Sequence, residues 1–389
     1  MSLATWRLRV FAVVLPILAL SLGAVLLVPD VDADLATPPV RGASETECLR
    51  TERPRTVAQL NEFVEEVRGG GEFAGADVGA STVLQDGRRL WVFADTLRSA
   101  DFEGQRFVRN SMLAFDRRCV QVVLPADHGA LIPDRPDGVG YWPMSVVTAH
   151  RTGYDLVTVF SQRVRSTDEP DGVFAFETLG PAVAVFVVER GRTPQLLAVR
   201  DLGADDPDTT RPMWGAAAAV SRGWLHLYGT SRPDTEGIFG YDLRVARVRP
   251  DDVLEQARWE YWDGTRWQPD AGAAQVLIEH RGGVSQTLSV FEQAGRWYAL
   301  SKRDEVLGTD VAVWSSARPE GPFSAPVTVA SLPSDPDSGL LRYMPLAHPD
   351  LLPRPGSVVV SYSRNYADPS VVWDEPFRYR PAFLRVQIG

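Results

Sequence analysis

Two aspartates, Asp77 and Asp95, bracket one short hairpin: Gly75-Ala76-Asp77-Val78-Gly79 opens a strand and Phe93-Ala94-Asp95-Thr96 closes the next. If the turn is the three-residue loop Gln85-Asp86-Gly87 with Gly87 left-handed, Leu84 pairs with Arg88, and positions summing to 172 lie opposite. The two carboxylates then face each other with Cβ atoms roughly 4.5–5.5 Å apart. At that spacing both cannot ionise freely, so one pKa rises and supplies a general acid beside a charged base or nucleophile. A two-residue Asp86-Gly87 loop would instead pair position 77 with 96 and turn the aspartates to opposite faces. Aspartates beside Gly or Thr at strand ends also commonly satisfy turn amides, so a structural role stands beside the chemical one.

The hairpin belongs to a repeat. A turn ending at or near glycine leads five times into a short apolar strand that closes on small polar residues: Asp86 to Phe93, Gly153 to Phe160, Gly223 to Tyr228, Gly295 to Leu300 and Gly356 to Tyr362. The glycines are 66, 70, 72 and 61 residues apart, the self-similarity of a repeat architecture. Each unit is the right length for a four-stranded sheet with loops. The expected fold is therefore an all-β, five-bladed β-propeller over 72–389.

Before four of the repeated strands lies another apolar segment, expected to be innermost: Val78 to Leu84, Met144 to Ala149, Ala216 to Val220 and Thr287 to Phe291. Met344 to Leu352 takes this place in the fifth unit, broken by prolines. Residues entering these strands should crowd the axis as a funnel of aromatic and polar groups, suited to a polar ligand: Asp77, Trp142, Trp214, Gln286, Arg342 and Tyr343. Trp142 and Trp214 could stack on sugar rings.

Other candidates carry less. Glu279-His280 and His348 lack metal-ligand spacing, and Asp205-Asp206-Pro207-Asp208 lacks the regular spacing of a calcium loop, so no metal is expected. There is no Gly-x-Ser-x-Gly, Walker loop, dinucleotide fingerprint or paired-cysteine zinc motif, and no cofactor is implied. Fifty acidic residues against forty basic ones, net charge −10, disfavour nucleic acid as a partner. Lys302 is the sole lysine, in keeping with a GC-rich genome.

Arg7 and Arg9 precede nineteen uncharged positions, Val10 to Val28, enough to span a bilayer with the remainder exported. Residues 1–29 read as a signal anchor that makes the protein single-pass in the cell membrane, with cleavage near Val31-Asp32-Ala33 and secretion as the alternative. Residues 30–55 read as an extracytoplasmic stalk and 56–71 as an amphipathic capping helix: Thr56 and Gln59 form a capping box, and Leu60, Phe63, Val64 and Val67 form a stripe. The two cysteines, Cys48 and Cys119, lie outside the membrane on this reading, where a disulfide can persist.

The Gly-x-Asp-x-Gly at Gly75 to Gly79, followed by Asp86-Gly87-Arg88-Arg89-Leu90-Trp91-Val92-Phe93-Ala94-Asp95-Thr96, resembles the actinobacterial endo-D-arabinofuranases, glycoside hydrolase family 183. Arg109-Asn110-Ser111, Tyr343-Met344-Pro345 and Ser361-Tyr362-Ser363-Arg364-Asn365 are similar to that family's later blades, so the likeness spans about 72 to 386. The resemblance implies a five-bladed propeller that cleaves D-arabinan of the cell envelope with two acids, mapped onto Asp77 and Asp95, and adds Asn110 to the residues expected at substrate. Related five-bladed glycosidases carry further acids on the second and third inner strands, whereas Met144-Ser145-Val146 and Trp214-Gly215-Ala216-Ala217 carry none. Two functions follow: a monomeric, anchored hydrolase of furanoside polysaccharide, or a non-catalytic propeller that binds wall glycan or protein.

Overall fold

The computed structural model describes residues 42–67, 70–116, 118–167 and 175–389. The apolar run Val10 to Val28 lies outside them, and no helix among the described residues is long and apolar enough to cross a membrane. The described chain is mostly antiparallel sheet.

Five main sheets follow one another along the chain. Their inner strands are Ala80–Val83, Gly140–Arg151, Met213–Ser221, Ser289–Gln293 and Leu340–His348. Each touches the next in that order. The glycine phrase found in the sequence forms the second strand every time: Arg89–Phe93, Tyr154–Ser166, Trp224–Ser231, Arg296–Lys302 and Ser357–Tyr366. The turn glycines Gly87, Gly153, Gly223, Gly295 and Gly356 all have positive φ, so they can reverse the chain without a Cβ clash.

The last sheet meets the first. The Val78 N–H donates to Ser363 Oγ at 2.9 Å, and Ser81 Oγ contacts His348 Nδ1 at 2.9 Å. Leu346 of the fifth inner strand shares an apolar cluster with Ala80 and Val92 of the first sheet and Val157 of the second. Adjacent sheets thus bury each other's inner faces, each large side chain contributing about 1.5–3 kcal/mol.

The fifth inner strand differs from expectation: Pro345 does not break it. The ladder shifts register between Tyr343 and Leu346, and this bulge accommodates a residue with no N–H to give. Pro143 sits at a similar shift in the second sheet, and a third shift separates Trp214 from Ala217.

Residues 43–50, expected within a stalk, instead form edge strands: Ala43–Glu45 and Leu49–Arg50 both pair with Cys119–Pro125 of the first sheet. The Cys48–Cys119 disulfide fastens this edge. The helix runs Val57–Glu66, its Thr56 side chain accepting from the Gln59 N–H. Leu60, Phe63 and Val64 pack against Trp91, Phe115 and Phe383, and Asn61 pairs with both backbone groups of Phe383.

Candidate active site

The register around the acid pair is the one that follows from a three-residue turn. Gly87 N–H returns to the Leu84 carbonyl and φ of Gly87 is +90°. Ala80 faces Val92, and Gly75 and Ala76 face Leu97 and Thr96 in a small separate sheet. Between these two stretches Asp77 donates its N–H to the Asp95 carbonyl at 3.3 Å, and Ala94 donates to the Asp77 carbonyl at 3.2 Å. Val78 and Gly79, at φ +66° and +77°, break the strand just after Asp77.

Both side chains are half-buried and gripped by aromatic donors. The Tyr343 hydroxyl donates to Asp77 Oδ2 at 2.7 Å, and Trp142 Nε1–H donates to Asp95 Oδ1 at 2.5 Å. Asp77 Oδ1 is buried without a well-formed hydrogen bond. Burial pushes the Asp77 carboxyl up to about 6, against the opposing effect of the Tyr343 and Tyr379 hydroxyls. Burial drives Asp95 well above its ordinary value, and the charge of Asp77 drives it further, with Arg109 opposing. Burial raises both carboxyls and the charge of one raises the other, the coupling from which a paired acid and base can arise.

Three groups at this site escaped the sequence reading. Tyr379, from the segment after Pro376–Arg378, lies in the field of Asp77, Tyr343 and Asp95. Its backbone carbonyl accepts from Ala76 N–H at 2.5 Å, and a Cβ at Gly75 would come within 2.0 Å of the Pro376 oxygen, so only glycine admits this approach. Arg109 sits between Asp95 and Asp134 electrostatically, and burial raises Asp134. The obligatory glycine at position 75 was the one signal of a close neighbour.

Other expected site residues fall elsewhere. Asn110 is a scaffold residue: its amide donates to the Ile132 and Tyr141 carbonyls and its oxygen accepts from Ile132 N–H, leaving nothing for a ligand. Trp214 is 4% exposed, packed beneath Gly229 and against Tyr261 in the core, because Gly215 at φ +94° turns the chain directly after it. Arg342 donates to the Pro333 carbonyl at 2.6 Å, and its charge bears on Lys302 rather than on the acid pair. Gln286 is half-buried, its N–H donating to Glu305 Oε1 at 2.5 Å. Of the residues expected at substrate, Trp142 and Tyr343 join the acids.

The weaker sequence candidates are self-satisfied. His348 lies between the Ser81 and Ser361 hydroxyls. Asp205 pairs with Arg135 and Arg163. Asp242, Glu279 and His280 bring donor atoms within 4.8 Å of one another, but Asp242 already accepts from the His280 N–H and lies 3.5 Å from Arg244.

With this geometry in view, a family model described as "Domain of unknown function (DUF5005)" matches residues 58–388. Among solved structures, a "putative hydrolase" from Bacteroides ovatus ATCC 8483 aligns with a TM-score of 0.62 at 20% identity, covering 84% of this chain and 88% of the other. The GH43_1 enzyme from Xanthomonas citri aligns at 0.44 and 14% identity, covering 81% and 88%. The α-L-arabinofuranosidase from Podospora anserina aligns at 0.44 and 11%, covering 90% and 98%. No curated protein matches the chain. The likeness to the Bacteroides ovatus protein is one of fold.

Proposed function

Starting from the fact that the chain belongs to the family described as "Domain of unknown function (DUF5005)", we propose that it is a glycoside hydrolase built as a five-bladed propeller. The observation that carries this reading is the pairing of Asp77 with Asp95, half-buried, each held by aromatic donors, with both proton affinities driven upward. A pair serving only turn amides would have depressed values, because amide donors favour the charged form.

In the two-carboxylate scheme, Asp95 keeps its proton in the low-dielectric pocket and delivers it to the glycosidic oxygen as the bond to the anomeric carbon breaks. Asp77, ionised above about 6 and oriented by Tyr343, attacks that carbon or takes a proton from the attacking water. The substrate class, furanoside polysaccharide of the cell envelope such as D-arabinan, rests on the sequence resemblance and on the acidic net charge, which suits a neutral glycan. Anchoring through residues 10–28 belongs to the same reading.

Incubating the exported part with arabinogalactan and measuring new reducing ends tests it. Release by the wild type and its loss, by about 10²–10⁴-fold, in Asp77→Asn and Asp95→Asn is expected. No release from arabinan-containing envelope polysaccharide would overturn it in favour of glycan binding, which should then survive both substitutions.

A further inference from the structure

A further carboxylate, Glu305, stands at the same end of the ring as the acid pair. Gln286 lies three residues before the inner strand Ser289–Gln293, as Asp77 lies three before Ala80–Val83. Glu305 follows the second strand Arg296–Lys302, as Asp95 follows Arg89–Phe93. The Gln286 N–H donates to Glu305 Oε1 at 2.5 Å, so the fourth sheet repeats the juxtaposition with a carboxylate in place of the Asp95 carbonyl. The two places share one end of the sheets: Lys302 Nζ donates to the Arg342 carbonyl at 2.6 Å, and the next residue, Tyr343, reaches Asp77.

Glu305 is half-buried, and its bonding is incomplete. Among the described residues no side-chain donor bonds it and no cation lies at ion-pair distance. Lys302, fully buried, spends its amine on the Val306 and Arg342 carbonyls. Burial raises the Glu305 carboxyl, against the Gln286 N–H and the charges of Lys302 and Arg232. Asp304 and Glu305 are both left-handed at φ +56°, and backbone strain of this kind clusters at ligand sites.

Two neighbouring side chains are also unspent. The Arg232 guanidinium lies 5.8 Å from the centre of the Tyr241 ring, and its charge bears on Glu305. Thr230, two residues earlier, donates its hydroxyl to the Gln286 carbonyl at 2.8 Å, which ties the third sheet to the fourth at this point. Neither the Arg232 guanidinium nor the Gln286 side-chain amide makes a hydrogen bond among the described residues. A carboxylate that accepts, a guanidinium that donates and an amide that does both match the adjacent hydroxyls of a sugar. Their charges cancel, which suits a neutral unit rather than a metal ion or a phosphate.

We propose that Glu305, Gln286 and Arg232 form a second saccharide subsite, holding a further sugar of the glycan whose bond lies at the acid pair; this rests on the hydrolase reading above. Arabinogalactan is given to the full-length chain and to its Glu305→Gln and Arg232→Ala variants, and reducing ends are counted. Each variant should raise KM about tenfold and leave kcat within about twofold, the effect of losing a charged hydrogen bond to bound substrate. Calorimetry on the Asp77→Asn chain reads binding of the same glycan without turnover. The same two changes made in that background should weaken binding by the same factor. Gln286→Ala, which keeps the backbone donor, replaces either variant should it fail to fold.

A fall in kcat at unchanged KM, or unchanged KM and affinity in variants whose melting temperatures hold, would overturn the subsite. So would absence of binding by the Asp77→Asn chain. Binding that the variants weaken, without cleavage by the wild type, sinks the hydrolase reading alone. Cleavage with KM untouched by the variants sinks the subsite alone.

Discussion

Tyr343, on the last sheet, donates its hydroxyl to Asp77, on the strand that leads into the first, at 2.7 Å across 266 residues of chain. The acid pair is therefore completed only where the two ends of the sheet series meet. The same seam carries the Val78–Ser363 and Ser81–His348 contacts, so site geometry and closure share their bonds.

The Tyr343 hydrogen bond favours the ionised form of Asp77 and holds its carboxyl below where burial alone would put it. The acid limb of kcat/KM should lie near 6. Tyr343→Phe should move that limb to higher pH and lower kcat/KM about tenfold at pH 6, while the plateau changes less. A pH–rate profile checks this, and an unmoved limb would detach Tyr343 from the titration.

Burial of Asp77 carries a stability penalty of known sign. A carboxyl raised to about 6 from 3.8 costs nothing while protonated below pH 4, and stability is lost as pH rises through 6. Asp77→Asn should therefore be more stable than wild type above pH 6, by on the order of 3 kcal/mol, and the two curves should converge below pH 4. Thermal melts from pH 3.5 to 7.5 read this without any substrate.

His348 has the opposite sign. Burial, and secondarily Arg89, pushes its imidazole down to about 3, so it stays neutral between Ser81 and Ser361. Its contribution is complete above about 6.5, the unfolded value, and is lost as pH falls toward 3. His348→Gln, which cannot charge, should flatten the acid side of the melting curve. Amide exchange should localise the acid-induced opening of wild type to the first and last sheets.

Asn110→Ala should destabilise by roughly 3 kcal/mol, since it strands two carbonyls and one N–H in a buried position. KM should not move. A higher KM with an unchanged melting temperature would restore this residue to the substrate.

The Cys48–Cys119 bridge closes a separation of 71 residues, for which chain entropy predicts about 4 kcal/mol. The double serine variant should show a denaturation midpoint lowered accordingly, with the edge strands Ala43–Glu45 and Leu49–Arg50 losing exchange protection first.

The sheets and the facing of Asp77 and Asp95 were legible because they depend on local chemistry: glycines that tolerate positive φ at each turn, and one loop length that sets register. Trp214 and Pro345 were misread for a shared reason. Both sit at register shifts, where alternation of faces fails and a proline is accepted. Asn110 was misread because its side chain serves backbone groups 22 and 31 residues away. Tyr379 lies in an aperiodic segment and reaches the acids only after the chain has closed, so no window of sequence around it carries the signal.

Synthesis runs from the N-terminus, and a ribosome displays Asp77 and Asp95 long before it reaches Tyr343 and Tyr379. Until those last residues emerge, neither tyrosine can fasten to the carboxylates, which stay hydrated with ordinary acidity. A nascent or prematurely terminated polypeptide would thus be chemically silent, and competence to react would arrive together with the finished fold.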